Sequence, residues 1–354
     1  WLLWRGRRAE VQTRLALGGA AMMTAAFATY EALQVENAPG WLGPAAALVS
    51  FALMDQEAFE SAAPRSTAEI FRNIPGVRSE STGGEGNANI AVRGLPVASG
   101  GAKFLQLHED GLPVMEFGDI AFGNADIFVR HDATLERVEA VRGGSASTYA
   151  SNSPGGVINL ISKSGSGAGG LIGVTQGLDY DSTRIDLGYG DTIGDGWSFD
   201  LGGFYRTGEG VRRAGYTAEE GGQFKANLTR YLANGYLRVN VKHLDDRAVG
   251  YLPMPVRVTG SNSSPRFGGF ANFDPGSDSP HSVYFLRDFG LDGNNARRTT
   301  DIADGMHPVS NAFGGELSFE LDGGWSLFDK IRIAKNSGRF VSPFPAEVAS
   351  AAAI

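Results

Sequence analysis

The chain has no cysteine among its 354 residues, so disulfides, thiolate metal sites and cysteine nucleophiles are excluded at the outset. Histidine is scarce: five residues with no HExxH or paired-His spacing remove a His-rich metal centre. No uninterrupted run of about 18 apolar residues occurs, so a transmembrane helix is not indicated. Positive charge is also short, with a net charge of -8, which argues against an extended nucleic-acid surface. Glycine, by contrast, is abundant at 50 residues, alongside 42% hydrophobic and 10% aromatic residues. That mixture suits many strands joined by turns better than packed helices.

The first residue is Trp1, which points to a start inside a longer reading frame. Arg5, Arg7, Arg8 and Arg14 precede the small, apolar run Leu15–Ala28, which ends in Ala26-Phe27-Ala28. Residues 1–28 therefore read as a secretory signal peptide, with an ordinary amphipathic helix as the alternative. Residues 29–47 read as a linker. The apolar run Trp41–Met54 is too short to span a bilayer and contains Pro44, so Leu48–Met54 reads as a core strand.

Residues 48–165 read as one α+β module. Ser66 with Glu69 three residues on has the pattern of a capping box, and Pro75-Gly76 closes the short helix. Strands follow at Asn89–Arg93 and Phe104–Glu109, then Asp110-Gly111 signals a tight turn that Pro113 rigidifies. Glu136–Arg142 mixes apolar and charged residues, whereas Val157–Ser162 is almost continuously apolar, as in a strand covered on both faces. Between them lie Gly143, Gly144, Pro154, Gly155 and Gly156. This stretch carries no Gly-Lys-Ser/Thr and no GxGxxG, and it opens onto a strand where a phosphate site needs a helix N-terminus. Nucleotide binding is set aside, and no cofactor is implied.

After the glycine-rich seam at 165–170 the pattern changes to period two. Ile185, Leu187 and Tyr189 alternate with polar residues or glycine, as do Phe199 with Leu201, Phe224 with Leu228, Leu237 with Val239 and Val241, and Phe313 with Leu317. A soluble β-sandwich and a transmembrane barrel both alternate in this way. Connection lengths separate them. If Leu171–Leu178 rises first, the short turns 192–196, 232–235 and 322–324 fall on one side. The long connections 208–222 and 250–312 fall on the other, with 179–182 the one short turn there. Short turns on one rim and long loops on the other are a barrel habit that a sandwich has no reason to follow. Trp197, Tyr205, Tyr231, Tyr236 and Trp325 fall near strand ends, where interfacial girdles sit.

Four motifs then bear on family. Ile90-Ala91-Val92-Arg93-Gly94, Asp110-Gly111-Leu112-Pro113-Val114, Glu136-Arg137-Val138-Glu139-Ala140-Val141-Arg142-Gly143 and Ser153-Pro154-Gly155-Gly156-Val157 resemble, in order and spacing, the plug domain of TonB-dependent outer-membrane receptors. Ile74-Pro75-Gly76-Val77 is similar to the start of the same plug. The resemblance implies an α+β plug followed by an antiparallel transmembrane β-barrel of about 22 strands. It implies uptake of a scarce nutrient, such as a ferric siderophore, cobalamin or a sugar, driven by the inner-membrane TonB complex from within the bacterial outer membrane. Arg93 and Arg142 resemble plug arginines that pair with barrel-wall carboxylates, and Glu136, Arg137 and Glu139 suit a hydrated plug surface. Gly94, Gly111, Gly143, Gly155 and Gly156 become turn glycines of the plug, with Asp110, Pro113 and Pro154 beside them. The loop after Asp110-Gly111 would point outward and offer Glu116, Phe117, Gly118, Asp119 and Phe122 to a ligand.

The chain departs from the family in two respects. The nearest segment to a TonB box, Glu31–Val35, is not taken as one. Only about seven strands are counted after Gly170, so the resemblance implies part of a longer receptor, since an open edge cannot face hydrocarbon. A soluble secreted β-rich binding module stays open as the alternative. An enzyme is not supported, because the acidic pair Asp245-Asp246 lacks a nucleophile–base constellation.

Overall fold

Val157–Ser162 lies at the centre of the N-terminal sheet. The computed structural model describes residues 50–54, 61–81, 83–95, 104–116, 119–120, 123–143, 146, 150–165, 167–345 and 347. The signal peptide, the linker and the Glu31–Val35 segment lie outside them. Strand β1 (Ser50–Met54) is followed by helix α1 (Thr67–Arg72), then by β2 (Val77–Glu80) and β3 (Asn89–Val92), which pair with each other. Strands β4 (Leu105–Glu109), β5 (Leu112–Pro113), β8 (Leu135–Arg142) and β9 (Gly156–Ser162) join β1 in a sheet of order β1-β8-β9-β4-β5. Only β4 and β9 run parallel. The short strands β6 (Asp119–Ile120) and β7 (Gly123–Asn124) lead into a 3-10 turn at Ala125–Phe128.

The core of this domain fills the space between α1 and the sheet. Ile70, Phe71 and Ile74 from the helical segment meet Leu107, Val138, Ala140, Ile158 and Leu160. The helix starts differently from the capping-box expectation. Ser66 is extended and its side chain makes no cap hydrogen bond. The Glu85 carboxylate accepts from the Thr67 N–H at 3.3 Å, and Glu69 turns back to the Arg65 N–H at 2.8 Å. A carboxylate from another turn has taken the position that the local serine was expected to fill.

Seven antiparallel strands then form a meander: β10 (Gly169–Gln176), β11 (Ser182–Thr192), β12 (Trp197–Gly208), β13 (Glu219–Leu232), β14 (Gly235–Arg247), β19 (Met306–Glu320) and β20 (Ser326–Phe340). The long connection between β14 and β19 carries two hairpins, β15 (Arg257–Ser261) with β16 (Ser264–Gly268) and β17 (Arg287–Leu291) with β18 (Arg297–Asp301). Strand β19 begins at Met306, earlier than the sequence pattern indicated, and runs through Pro308.

The register sorts side chains by face. Tyr189, Leu201, Ala226, Val241, Phe313 and Ile333 stand opposite one another across six strands. Most of that row is exposed, with Ile333 at 71% and Phe313 at 56%. A sandwich would bury this face under a second sheet, and no described element covers it. The adjacent row on the other face reads Gly188, Gly202, Lys225, Lys242, Ala312 and Ala334. Apolar side chains thus point out and polar ones enclose the N-terminal domain, as in a transmembrane barrel wall. The wall is open, since β10 and β20 are not paired. Two girdle aromatics are revised. Tyr231 and Tyr236 pair on the inner face, and the Tyr236 hydroxyl donates to Glu316. Trp197 does lie outside, beneath the Arg230 guanidinium at 5.2 Å.

Candidate functional site

The N-terminal domain meets the wall through polar contacts in two clusters. The first lies toward the long-loop rim. Asp246 on β14 accepts from Arg130 Nε at 2.6 Å and from Arg206 Nε and Nη2 at 2.8 Å each. Arg206, on β12, also donates to Glu85 at 2.6 Å. Arg130 and Glu85 belong to the N-terminal domain, so two charges from each partner close a buried square. Asp246 and Arg130 side chains are 0% exposed. Burial alone would raise the Glu85 carboxyl, but Arg206 and Arg130 overcome it and hold it down at about 2. Such a square is costly to assemble and more costly to break, because one missing partner strands the others in a dry place.

Local structure explains the placement. Arg130 follows the 3-10 turn, and its Nη1 is held by the carbonyls of Asp126, Ile127 and Val129. Glu85 sits in a turn where Gly84 has φ +96°, and a Cβ there would lie 2.1 Å from the Val249 carbonyl oxygen. The base of the long loop therefore lies directly on this turn, and the Tyr251 N–H donates to Gly83 O at 3.0 Å. Ile127 packs with Ala248 and Met306 beside it. Asp126 is raised to about 6 by burial, although it accepts from the Ala88 N–H at 2.9 Å. Burial holds His131 neutral down to about 4.

The second cluster lies toward the short-turn rim, at the β4–β5 hairpin. Asp110 and Gly111 both have positive φ, 52° and 85°, as a two-residue turn of type I′ requires. The Asp110 carboxylate accepts from Ser162 N at 2.7 Å and Oγ at 3.0 Å, and Asn159 Oδ1 accepts from the Gly111 N–H at 2.9 Å. Four wall cations grip the hairpin. Lys242 Nζ donates to both Glu109 oxygens, at 2.8 and 2.7 Å, and Lys225 stands 3.8 Å away. Lys330 donates to Asp110 O at 2.9 Å, and Arg332 to the carbonyls of Glu109, Leu112 and Pro113. Burial would raise Glu109, but Lys242, Lys225 and Arg332 bring it down to about 2.

The sequence-derived residues are spread over several parts of the domain. Asp110, Gly111 and Pro113 form the wall-seated hairpin. Arg137 pairs with Glu136 and Glu139 at 2.8 Å each, within β8 and not across to the wall. Arg93 is exposed and Arg142 buried, and the two flank Gly76. Arg130 is a domain arginine that meets a wall carboxylate, Asp246. Gly94 and Arg93 end the β2–β3 hairpin, both with positive φ. Gly143 N–H donates to Gly155 O at 2.9 Å, closing the loop whose last residue is Pro154. At Gly155 and Gly156 a Cβ would meet Phe104 O at 2.8 Å and Val141 O at 2.6 Å, so these glycines allow strand contact. Glu116 is exposed, and Asp119 lies in β6, just before the turn that packs near the long-loop rim. Phe117, Gly118 and Phe122 lie outside the described residues.

Asp245 and Asp246 take opposite faces of β14. Asp245 stands 2.7 Å from His307, and Asp246 lies inside the buried square. Adjacent strand residues cannot act as a carboxylate pair, which removes the one acidic pair considered for catalysis. No group of three or more potential metal ligands occurs among the described residues. The missed residues Glu85, Arg130, Arg206 and Asp246 had one available signal. Arg206 and Asp246 are charges on the polar parity of strands whose other face is apolar.

Residues 45–157 match the family model described as TonB-dependent Receptor Plug Domain. The chain is 28% identical over 208 residues to the vitamin B12 transporter BtuB of Photobacterium profundum, covering 46% of this chain and 33% of that protein. It is 32% identical over 114 residues to the ferrienterobactin receptor of Escherichia coli, covering 29% and 15%. In structure it is similar to the ferric yersiniabactin uptake receptor FyuA of Yersinia pestis, with TM-score 0.55 and 15% identity over 84% of this chain and 43% of that one. The ferripyoverdine receptor of the Pseudomonas aeruginosa outer membrane gives TM-score 0.53 and 15% identity, covering 80% and 33%. The chain thus spans about a third of the curated B12 transporter.

Proposed function

We propose, from the premise that this chain belongs to the TonB-dependent outer-membrane receptors as plug domain and opening barrel strands, that the whole receptor actively takes up a scarce nutrient such as a ferric siderophore. Cobalamin is the other solute that a relative's name suggests. The observation that carries the reading is the character of the plug–wall contact. It is built mainly of ion pairs and hydrogen bonds, with one small apolar patch where Ile127 meets Ala248 and Met306, while the exposed apolar rows of the wall face away from it. A stopper that must rearrange without exposing a dry core to water needs such a contact.

The roles follow from position. The outer row from Tyr189 to Ile333 faces lipid. The TonB complex engages the chain ahead of β1. The solute is held on the long-loop side, with Glu116, Phe117, Gly118, Asp119 and Phe122 of the plug and the loop 250–312 contributing contacts. The residues on this chain act by binding and gating; the family consists of receptors and transporters. The test is accumulation of iron-55 siderophores and of labelled cyanocobalamin by cells expressing the gene that contains this chain, with and without TonB. Uptake of one of them that disappears without TonB is the expected result. Accumulation that is indifferent to TonB overturns the reading.

A further inference from the structure

The inner wall is not evenly charged along its length. From the short-turn rim to mid-wall, three successive inner rows read Arg238, Glu316 and Lys330; then Asn240, Gly314 and Arg332; then Lys242, Ala312 and Ala334. Lys225 stands directly opposite Lys242 on the neighbouring strand. Strands β13, β14, β19 and β20 thus place five cations against one carboxylate in these rows. Like charges directly opposite across a sheet are destabilising. Near the long-loop rim the inner charges are Arg184 and Arg206 against Asp186, Glu219 and Asp246, so acids offset bases there.

The plug does not neutralise the cationic rows. Glu109 is the plug carboxylate that ion-pairs with them; the Asp110 carboxylate lines the same cavity but is taken up by Ser162, and the remaining plug partners are a hydroxyl and neutral carbonyls. Lys242 takes Phe128 O at 2.8 Å beside Glu109, and Lys330 and Arg332 take backbone oxygens of the β4–β5 hairpin. Glu316 is shared by Lys330 at 3.2 Å and Arg238 at 3.6 Å. Asp200 of β12 and Lys163 of the plug face the same small cavity, of about 50 Å³, and offset each other. A carbonyl satisfies a donor but removes no charge, so the wall keeps a positive potential beneath the hairpin.

We propose that this half of the wall is an anion-attracting stretch of the passage, covered at rest by the β4–β5 hairpin, and that the transported solute carries net negative charge. The inference rests on the transport reading above and adds the solute class. When the plug withdraws, Lys225, Lys242, Lys330 and Arg332 lose their plug partners together while Arg238 keeps Glu316, and an anionic solute is what replaces those partners. A neutral solute gains nothing from the same surface.

The test uses the intact receptor in a planar bilayer, its plug loosened by urea, with potassium chloride at unequal concentrations on the two sides. The reversal potential then reports whether chloride or potassium passes more readily. Chloride is expected to be favoured by about threefold or more, as for pores lined by Arg and Lys. Lys330→Gln with Arg332→Gln is expected to bring the ratio to about one or below. Ala334→Asp, which adds an acid at an open inner position and removes no donor, is expected to act in the same direction. Potassium preference in the native receptor, selectivity untouched by either variant, or no conductance under urea each overturns the proposal. Chloride preference without TonB-linked uptake would defeat the transport reading alone, and TonB-linked uptake through a potassium-selective passage would defeat this one alone.

Discussion

Replacing Asp246 by Asn removes one negative charge from the buried square while keeping its shape. In the native protein Arg130 and Arg206 are balanced by Asp246 and Glu85, with Arg206 also 3.8 Å from Glu219. Asp246→Asn leaves the four-residue square one positive charge in excess, with only the more distant Glu219 to offset it, and where the amide oxygen takes the place of Oδ2 its NH2 faces the Arg206 Nε donor that Oδ1 accepts from. Breaking a buried ion pair by removing one partner costs about 3–5 kcal/mol. Because Arg130 and Glu85 sit on the plug, that cost falls on plug seating. With about 1.4 kcal/mol per tenfold, opening of the contact becomes about 10²- to 10⁴-fold more frequent. Peptide-resolved hydrogen exchange over Ala125–Thr134 reads this directly, with peptides from β20 as the internal standard. The double variant Asp246→Asn with Arg206→Gln restores balance by leaving Arg130 with Glu85, and its exchange is expected to fall back to within about tenfold of native. Exchange that stays within about threefold of native in the single variant, or a double variant no better than the single, would refute the charge-balance reasoning.

Further outcomes follow from other contacts. Gly84→Ala forces a Cβ into the Val249 carbonyl at positive φ, at a cost of order 1–3 kcal/mol or more. Exchange should rise together at Gly83–Glu85 and Val249–Tyr251, and a change at one segment alone would count against the staple. Acid should loosen the plug in two stages. His108 and His131 are depressed from 6.5 to about 4, so their contribution is complete above pH 6.5 and lost as pH falls toward 4. Glu85 and Glu109 are depressed to about 2, so theirs is complete above about pH 4.5 and lost below it. Hydrogen exchange at the β4–β5 hairpin between pH 7 and pH 3 should resolve both stages; a flat profile would contradict the assignment. Finally, Val241→Arg on the outer face should cost about 2–4 kcal/mol of folding into vesicles, while Asn336→Arg on the inner face costs little. Equal penalties, read from the fraction folded after urea dilution, would refute the assignment of faces, and a larger one at Asn336→Arg would reverse it.

Most of the architecture could be read from the sequence because it depends on local periodicity. Ile185, Leu187 and Tyr189 alternate with polar residues or glycine, and the register carries that alternation across the wall. The Asp110-Gly111 turn was likewise legible, since positive φ at two successive positions restricts residue choice. The site was harder, because its partners come together only in the folded chain. Arg130 and Asp246 are 116 residues apart, and Arg206 and Glu85 are 121 apart. No local pattern marks such pairs beyond a charge on the polar face of a strand. Ser66 shows the same limit in reverse. Its position reads as a cap, but Glu85 arrives from another turn and takes the Thr67 N–H instead. Tyr231 and Tyr236 sit near strand ends as girdle residues would, yet parity places both inside.

The strand order of the plug sheet has a mechanical consequence. Strand β1 is an edge strand, and the hairpin bolted to the wall lies at the opposite edge, beyond β8, β9 and β4. A tug on the chain ahead of Ser50 therefore reaches first a five-rung zipper, Ser50 with Arg142 to Met54 with Val138. That zipper can peel one rung at a time while the far edge stays fastened. Weak pulls are absorbed as in a fuse, and only a sustained one travels across the sheet to release the bolt.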